Sequence, residues 1–274
     1  MINQSPNQKS MLLCPPTYFK VERPINPWME ASPQVNIDLA CHQWNQLSFH
    51  LRELGVEIRL LPPQKGLNDL VFTANAGLVH GNKVVLSNFK YPERRREKFY
   101  NRKWFQEAGY EIHQLPNYLR FEGNGDAFIW GDTLVGGYGF RTDKKALEVV
   151  AQLLGLKLLA LKLVDEKYYH LDTCFTPINK EKGHLLYNPR AFSWLSRLKI
   201  RYNRLFKKIM AVNTWESEGF ACNSVVIGET VLMPSGNAFI SDKLKKIGYN
   251  VISVPISEFL KAGGGAKCMI LELN

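Results

Sequence analysis

The sequence has no C-x-x-C pair, no H-E-x-x-H, no glycine-rich loop followed by G-K-S or G-K-T, and no apolar run long enough to cross a membrane. Each absence removes a class of function. The five cysteines (Cys14, Cys41, Cys174, Cys222, Cys268) are odd in number and scattered, which argues against a disulfide framework and against a thiolate zinc site. The six histidines, His42, His50, His80, His113, His170 and His184, show no compact ligand spacing, so no metal is expected. "GNGDAF" begins like a dinucleotide-binding G-x-G-x-x-G loop, but Phe128 stands where the third glycine belongs. The opening "MINQSPNQKS" has neither the apolar core nor the cleavage site of a signal peptide. A protein of the reducing cytosol, away from membranes and without cofactor, is the expectation.

What is present is an ordinary globular composition, with 45% hydrophobic and 22% charged residues in a chain of 274. Residues 1–10 read as a flexible N-terminal segment and 11–274 as a single domain. The net charge of +10 comes from 35 Lys and Arg against 25 Asp and Glu, and "PERRREK" (92–98) and "SRLKIRYNRLFKK" (196–208) are its densest stretches. In the second, Leu195, Leu198, Tyr202, Leu205, Phe206 and Ile209 recur at helical spacing. Arg197, Arg201, Arg204 and Lys208 fall opposite them, which predicts an amphipathic helix with a solvated basic side. No nucleic-acid motif accompanies the charge, so nucleic acid is not an expected partner. A homo-oligomer is compatible with this composition.

The chain also repeats itself. A strand "MLLCPP" leads to a helical stretch lined by Ile37, Ala40, Trp44, Leu47, Leu51 and Leu54, then to "VEIRLLPP". Strand pairs turning at Gly81-Asn82, Gly131-Asp132 and Gly228-Glu229, with another starting at "YYHLDTCFTPI", are each followed by a helix and a strand. The last unit, ending in "CMILEL", lacks its own hairpin and is expected to complete the first. About five strand-pair, helix, strand units of near fifty residues result. Set radially they would enclose a central channel, an α/β propeller. Polar segments, "FTANAG", "FEGNGD", "YHLDT", "FACNS" and "GGGAKC", open the successive units and would converge at one end of the axis.

Such convergence gathers Asn75, Glu122, Asp126, His170, Asp172 and Cys268. Singly each has a structural reading: an Asx turn, a capping carboxylate, a core histidine, a small hydrophobe on a strand. Together, a thiol with an imidazole is a nucleophile and acid–base pair, and the carboxylates suit a planar cation such as guanidinium. A free thiol has a pKa of about 8.5, and a bound cation would raise its thiolate fraction.

"INPWM", "DLVFTANAGLV", "FEGNGDA", "GYGFRTD", "YYHLDTCF", "ACNSV" and "LKAGGGAKC" resemble, in order and spacing, motifs of the guanidino-group-modifying enzymes. That superfamily has the five-bladed α/β propeller called the pentein fold. Within it the chain is most similar to the arginine dihydrolase domain of bifunctional arginine dihydrolase/ornithine cyclodeaminases, from about Cys14 onward. The resemblance implies Cys268 as nucleophile, His170 as acid–base residue and Glu122 as its support. Asp172 would grip the guanidinium and Asn75 would lie against the reacting group. Arg94 and Arg141 would hold the α-carboxylate, and Asp126, Gly123 and Ala262 would border the substrate. The glycine triplet would bring backbone close to the substrate and leave the thiol accessible.

The implied reaction takes L-arginine to ornithine, CO2 and two ammonia. Arginine deiminases have aspartate where this chain has Asn75; an amide both donates and accepts, and so suits a neutral ureido group. The alternatives are an arginine deiminase or dimethylarginine dimethylaminohydrolase that stops at citrulline, and, more remotely, an inactive pentein that binds a partner. The bifunctional proteins continue into a cyclodeaminase domain and this chain ends at Asn274, so neither NAD binding nor conversion of ornithine to proline is expected.

Overall fold

The computed structural model describes residues 9–29 and 34–273. Residues 1–8 of the expected N-terminal segment lie outside the described residues, and Ser10 already belongs to a strand. β1 (Ser10–Leu13) is followed by α1 (Ile37–Glu53) and β2 (Glu57–Leu60). β3 (Gly77–His80) and β4 (Lys83–Leu86) form a hairpin, and α2 (Pro92–Arg95) and α3 (Glu97–Glu107) lead to β5 (Glu111–Gln114). β6 (Ala127–Trp130), β7 (Thr133–Tyr138), α4 (Lys144–Leu154) and β8 (Lys157–Lys162) repeat the unit. So do β9 (Phe175–Asn179), β10 (His184–Tyr187), α5 (Trp194–Tyr202) and β11 (Lys208–Ala211). After α6 (Thr214–Glu218) come β12 (Val225–Ile227), β13 (Thr230–Pro234), α7 (Ala238–Lys246) and β14 (Asn250–Val254). Finally α8 (Ser257–Leu260) precedes β15 (Leu271–Glu272), which pairs antiparallel with β1, Leu12 opposite Leu271.

Five three-stranded sheets result, each with one antiparallel and one parallel pairing. This is the five-bladed α/β propeller of the pentein fold, and the chain's two ends close the first blade as the repeat pattern predicted. The antiparallel pairs need only tight turns. At three of them a glycine stands first in a two-residue turn with φ of +58° (Gly81), +59° (Gly131) and +59° (Gly228), a conformation glycine adopts without steric cost. The parallel pairs need a crossover, and a helix supplies it. α4 shows why that helix lies flat on its sheet: Ala146, Leu147, Val150, Ala151 and Leu154 are buried. A Cβ on Gly136 of β7 would come within 2.7 Å of Leu147, so glycine there sets the approach.

Three expectations need correction. The basic stretch is helical only to Tyr202, and residues 208–211 form β11 instead. The stripe residues that lie in the helix face out, Leu195 55%, Leu198 40% and Tyr202 75% exposed, while Phe206 beyond it is buried. The side facing the sheet is set by Ile200 and by Ser196, whose Oγ accepts from the Lys162 backbone at 2.7 Å. "CMILEL" is not one strand, because the carbonyls of Cys268 and Met269 accept from Ala74 N and Thr73 Oγ1, leaving only Leu271–Glu272 to pair. The single helix expected after the strand pair that turns at Gly81-Asn82 is broken in two at Arg96. Among the described residues no helix is long and apolar enough to cross a membrane.

Candidate active site

The five opening segments do converge, and they are tied into a closed ring. Asn75 Nδ2 in the first donates to the Glu122 carbonyl of the second at 2.9 Å. Asp126 in the second accepts from Leu171 N of the third at 3.0 Å. The Asp172 carbonyl of the third accepts from Asn223 Nδ2 of the fourth at 3.0 Å. Asn223 Oδ1 accepts from the backbone N–H of Lys267 (2.9 Å) and Cys268 (3.2 Å) in the fifth. The Cys268 carbonyl accepts from Ala74 N at 3.1 Å and returns the ring to the first. Three side chains, those of Asn75, Asp126 and Asn223, and three backbone carbonyls, those of Glu122, Asp172 and Cys268, close it.

On this ring Cys268 Sγ lies 3.3 Å from Asp172 Oδ2 and 3.1 Å from Asn223 Nδ2. Burial, with Asp172 adding to it, pushes the thiol well above its usual range. Burial also pushes the Asp172 carboxyl up to about 7, against the pull of Lys267. Asp172 Oδ1 is buried without a partner, an acceptor left for something that donates. Thiol and carboxyl thus share one proton-rich corner, and a cation placed there would favour ionising both.

His170 Nε2 is 2.7 Å from Glu122 Oε2, which also receives Arg141 Nη1 at 3.1 Å. Burial opposes the Glu122 charge, but Arg141 and His170 outweigh it and hold the carboxyl well below the usual carboxylate range. An ionised Glu122 accepts, so Nε2 carries the imidazole proton and Nδ1 keeps a lone pair. Burial pushes His170 down to about 4, which makes it a neutral base near pH 7. Arg141 is stacked between Tyr91 and Tyr169, 4.5 Å from each ring, and donates to the Ile25 carbonyl at 2.8 Å.

Asn75 is oriented at both ends, since its Oδ1 accepts from Arg94 Nη1 at 2.8 Å. Arg94 is itself held by a two-pronged pair to Glu97, at 2.8 and 2.9 Å. A Cβ on Gly125 would come 2.3 Å from Asn75 Nδ2, so glycine is what lets the amide lie there. The terminal glycine triplet has a similar, protein-internal reason: a Cβ on Gly264 would meet the Phe72 ring at 2.2 Å and one on Gly265 would meet Asn223 Oδ1 at 2.6 Å. It seats Cys268, which is only 4% exposed, rather than opening it.

Asn75, Arg94, Arg141, His170, Ala262 and Cys268 line a cavity of about 10 Å³, the room one water needs, beneath Ile25, Asn26 and Met29. Glu122 and Asp172 stand behind His170 and Cys268. Asp126 spends its carboxylate on Thr142 (2.6 Å) and Leu171 N, and Gly123 sits at φ +62° against the Gly77 carbonyl. Neither lines the cavity.

Sequence reasoning missed Asp69, Asn223 and Tyr169. Asp69 lines the cavity, its Oδ1 is buried without a partner, and burial pushes its carboxyl up against the pull of Arg94. An acid inside the apolar run "DLVF" was the available signal. Asn223 occupies in "FACNS" the place Asn75 occupies in "FTANAG". Tyr169, beside His170, donates from its hydroxyl to the Gly263 carbonyl at 2.8 Å. Among the described residues no group of His, Cys, Asp and Glu could hold a metal.

The family model described as N,N dimethylarginine dimethylhydrolase, eukaryotic, matches residues 16–274. The bifunctional arginine dihydrolase/ornithine cyclodeaminase AgrE of Nostoc is 42% identical over 96% of this chain and 37% of its own length. This chain therefore spans little more than a third of that relative. The N(G),N(G)-dimethylarginine dimethylaminohydrolase of Mycobacterium tuberculosis is 33% identical over 99% of this chain and 88% of its own. The N-terminal domain of ArgZ, an arginine dihydrolase from the ornithine–ammonia cycle in cyanobacteria, is 39% identical and superposes with a TM-score of 0.93 over 97% of this chain and 98% of that domain. It has been solved as a cysteine-to-serine variant bound to substrate and as an asparagine-to-serine variant covalently bonded to a reaction intermediate.

Proposed function

The chain belongs to the N,N dimethylarginine dimethylhydrolase family, and from that premise we propose that it is an arginine dihydrolase: L-arginine and two waters give L-ornithine, carbon dioxide and two ammonia. The observation that carries this reading over its relatives' other chemistry is the Asn75 amide, fixed by the Glu122 carbonyl and Arg94 with one N–H still free. The guanidinium lies against Asp172 Oδ1, and its charge favours loss of the Cys268 proton. The α-ammonium meets Asp69, and Arg94 and Arg141 hold the α-carboxylate. The loop of Ile25, Asn26 and Met29 has to move for arginine to enter.

The thiolate adds to the guanidinium carbon. His170 Nδ1 takes the Cys268 proton and passes it to one nitrogen, which leaves as ammonia and gives a thiouronium. His170 then takes a proton from water, which adds to the same carbon, and Cys268 departs to leave a bound ureido group. The free Asn75 N–H donates to the ureido oxygen, and Cys268 adds a second time. A second ammonia leaves, water cleaves the carbamoyl thioester, and the carbamate breaks into ornithine and carbon dioxide. Dimethylarginine fits less well, because two methyl groups would stand where the unpaired Asp172 Oδ1 needs N–H donors.

The test is an end-point assay of pure protein with L-arginine, quantifying ammonia, ornithine and citrulline together, with dimethylarginine alongside. Two ammonia per ornithine and little citrulline is the expected outcome. One ammonia per citrulline would overturn the dihydrolase reading, and turnover of dimethylarginine alone would overturn the substrate.

A further inference from the structure

Asn223 touches the sulfur on which the reaction turns, yet no step above uses it. It is fully buried and does not line the arginine cavity, so it meets Cys268 from outside that cavity. Both ends of its amide are engaged. Oδ1 accepts from the backbone N–H of Lys267 (2.9 Å) and Cys268 (3.2 Å). Nδ2 donates to the Asp172 carbonyl (3.0 Å) and to Cys268 Sγ (3.1 Å). This pattern fixes which end faces the sulfur. Turned over, the amide would set its oxygen against another carbonyl and its NH2 against two N–H donors. Among the described side chains Asn223 is the one that donates to Sγ, while the thiol's own proton points to Asp172 Oδ2 at 3.3 Å. Of the ionisable groups that share the cavity with Sγ, Arg94, Arg141, Tyr169 and His170 bond elsewhere, and Asp69 Oδ1 has no partner.

We propose that Asn223 is a catalytic residue: its Nδ2 N–H holds the negative charge on Cys268 Sγ before each attack and after each departure of the sulfur. Once the proton has left Sγ, Asp172 Oδ2 faces a thiolate with no hydrogen between them. The Asn223 N–H needs no rearrangement at that moment, because it already points at the sulfur. Its bond becomes charge-assisted, and so stronger, as the charge forms. In the covalent intermediates Sγ is bonded to carbon and uncharged. The donation therefore favours the free thiolate and speeds its departure as a leaving group. The influences on the thiol agree in direction: burial and Asp172 push it up, and the Gly265 N–H and the Asn223 amide oppose them.

This role rests on the reading of Cys268 as the nucleophile, and its test needs no substrate. Asn223→Leu keeps the branched shape and has neither end of the amide. The rate at which iodoacetamide alkylates Cys268, followed by the mass of its peptide, is compared in the two proteins at about pH 8. Loss of the donor should raise the thiol by about one to two pKa units. The greater reactivity of a more basic thiolate returns part of that, so alkylation should slow by about 3-fold to about 15-fold. If Asn223 only anchors the backbone, loosening it exposes Cys268, and unchanged or faster alkylation overturns the proposal. Calorimetry of L-arginine in Cys268→Ser, with and without Asn223→Leu, should show unchanged affinity, because Asn223 lies outside the cavity. Slower alkylation together with lost arginine binding marks a distorted site and also overturns it. If Cys268→Ser alone binds no arginine, the arginine reading fails, and alkylation still decides the role of Asn223. If Asn223→Leu does not fold, nuclear magnetic resonance of the unaltered chain decides. The Asn223 side-chain amide proton should move downfield as Cys268 ionises and stay in place in Cys268→Ser; no movement in either overturns the role.

Discussion

Replacing Asn75 by aspartate should turn the proposed dihydrolase into an enzyme that releases citrulline. Asn75 Nδ2 stands 2.9 Å from the Glu122 carbonyl, and Oδ1 stands 2.8 Å from Arg94 Nη1. Aspartate has the same shape, so one carboxylate oxygen would face that carbonyl with nothing to donate. A buried acceptor left in this way costs about 1–3 kcal/mol. A charge-assisted bond to Arg94 offsets part of that, and the fold survives. The substrate side changes more. A guanidinium only donates, so the first half-reaction tolerates or gains from a second carboxylate. A ureido oxygen needs a donor and loses one. At about 1–3 kcal/mol, that lost bond shifts the partition between second attack and release by about 5-fold to about 150-fold. The assay is the same end-point measurement on Asn75→Asp. Citrulline becoming the main product, with one ammonia each, is the expected result. Undiminished ornithine with two ammonia would refute the role given to the amide.

Gly125→Ala should act on the same amide from behind, because its Cβ would lie 2.3 Å from Asn75 Nδ2 and 3.5 Å from His170 Cγ. Lower kcat/KM with more citrulline is expected, alongside a stability loss of about 1–3 kcal/mol in thermal melts. Cys268→Ser should lose turnover roughly 10⁴-fold or more while calorimetry still detects arginine binding. The pH profile of kcat/KM should rise about tenfold per unit below about 7, where Asp172 ionises, with no limb near neutrality from His170, which is neutral above about 4. The same carboxyl sets a stability slope. Its folded pKa lies above its unfolded one, so the folded state binds the proton more tightly and stability falls as pH rises from about 4 to about 7. Asp172→Asn should therefore raise the melting temperature above pH 7, by up to about 4 kcal/mol of stability, while abolishing activity; an unchanged melt would show that the buried charge carries no cost.

Most of the fold was legible because its signals are local. Gly81, Gly131 and Gly228 announce hairpins through a conformation few other residues tolerate, and the stripe of α1 appears as Ala40, Trp44, Leu47 and Leu51 in the core. The face of α5 was not legible. Leu195, Leu198 and Tyr202 repeat with helical spacing, but periodicity says only that a stripe exists, not which side the sheet takes. Here a single serine hydroxyl bonded to the Lys162 backbone, together with Ile200, turns the other side inward. The site residues were legible where each blade's opening displays a polar side chain in turn. Asp69 was passed over although it heads the apolar run "DLVF", because what marks it is a buried oxygen without a partner, which only three-dimensional packing creates.

On the proposed reading, burial accounts for how a basic protein would serve a cationic substrate. The excess of Lys and Arg lies largely on the exposed surface, where salt screens it over about 8–10 Å. Inside, Asp69 and Asp172 are desolvated carboxyls held above their usual range, and the Cys268 thiol beside them is held higher still. None of the three is at ease as an anion until a cation arrives. On the proposed arginine reading, the substrate would bring one at each end, guanidinium to Asp172 and α-ammonium to Asp69, and binding would ionise its own site. The nucleophile follows from the same event. A thiol too costly to ionise in the empty cavity is spared reaction with other electrophiles, and becomes a thiolate where the carbon it must attack is already in place.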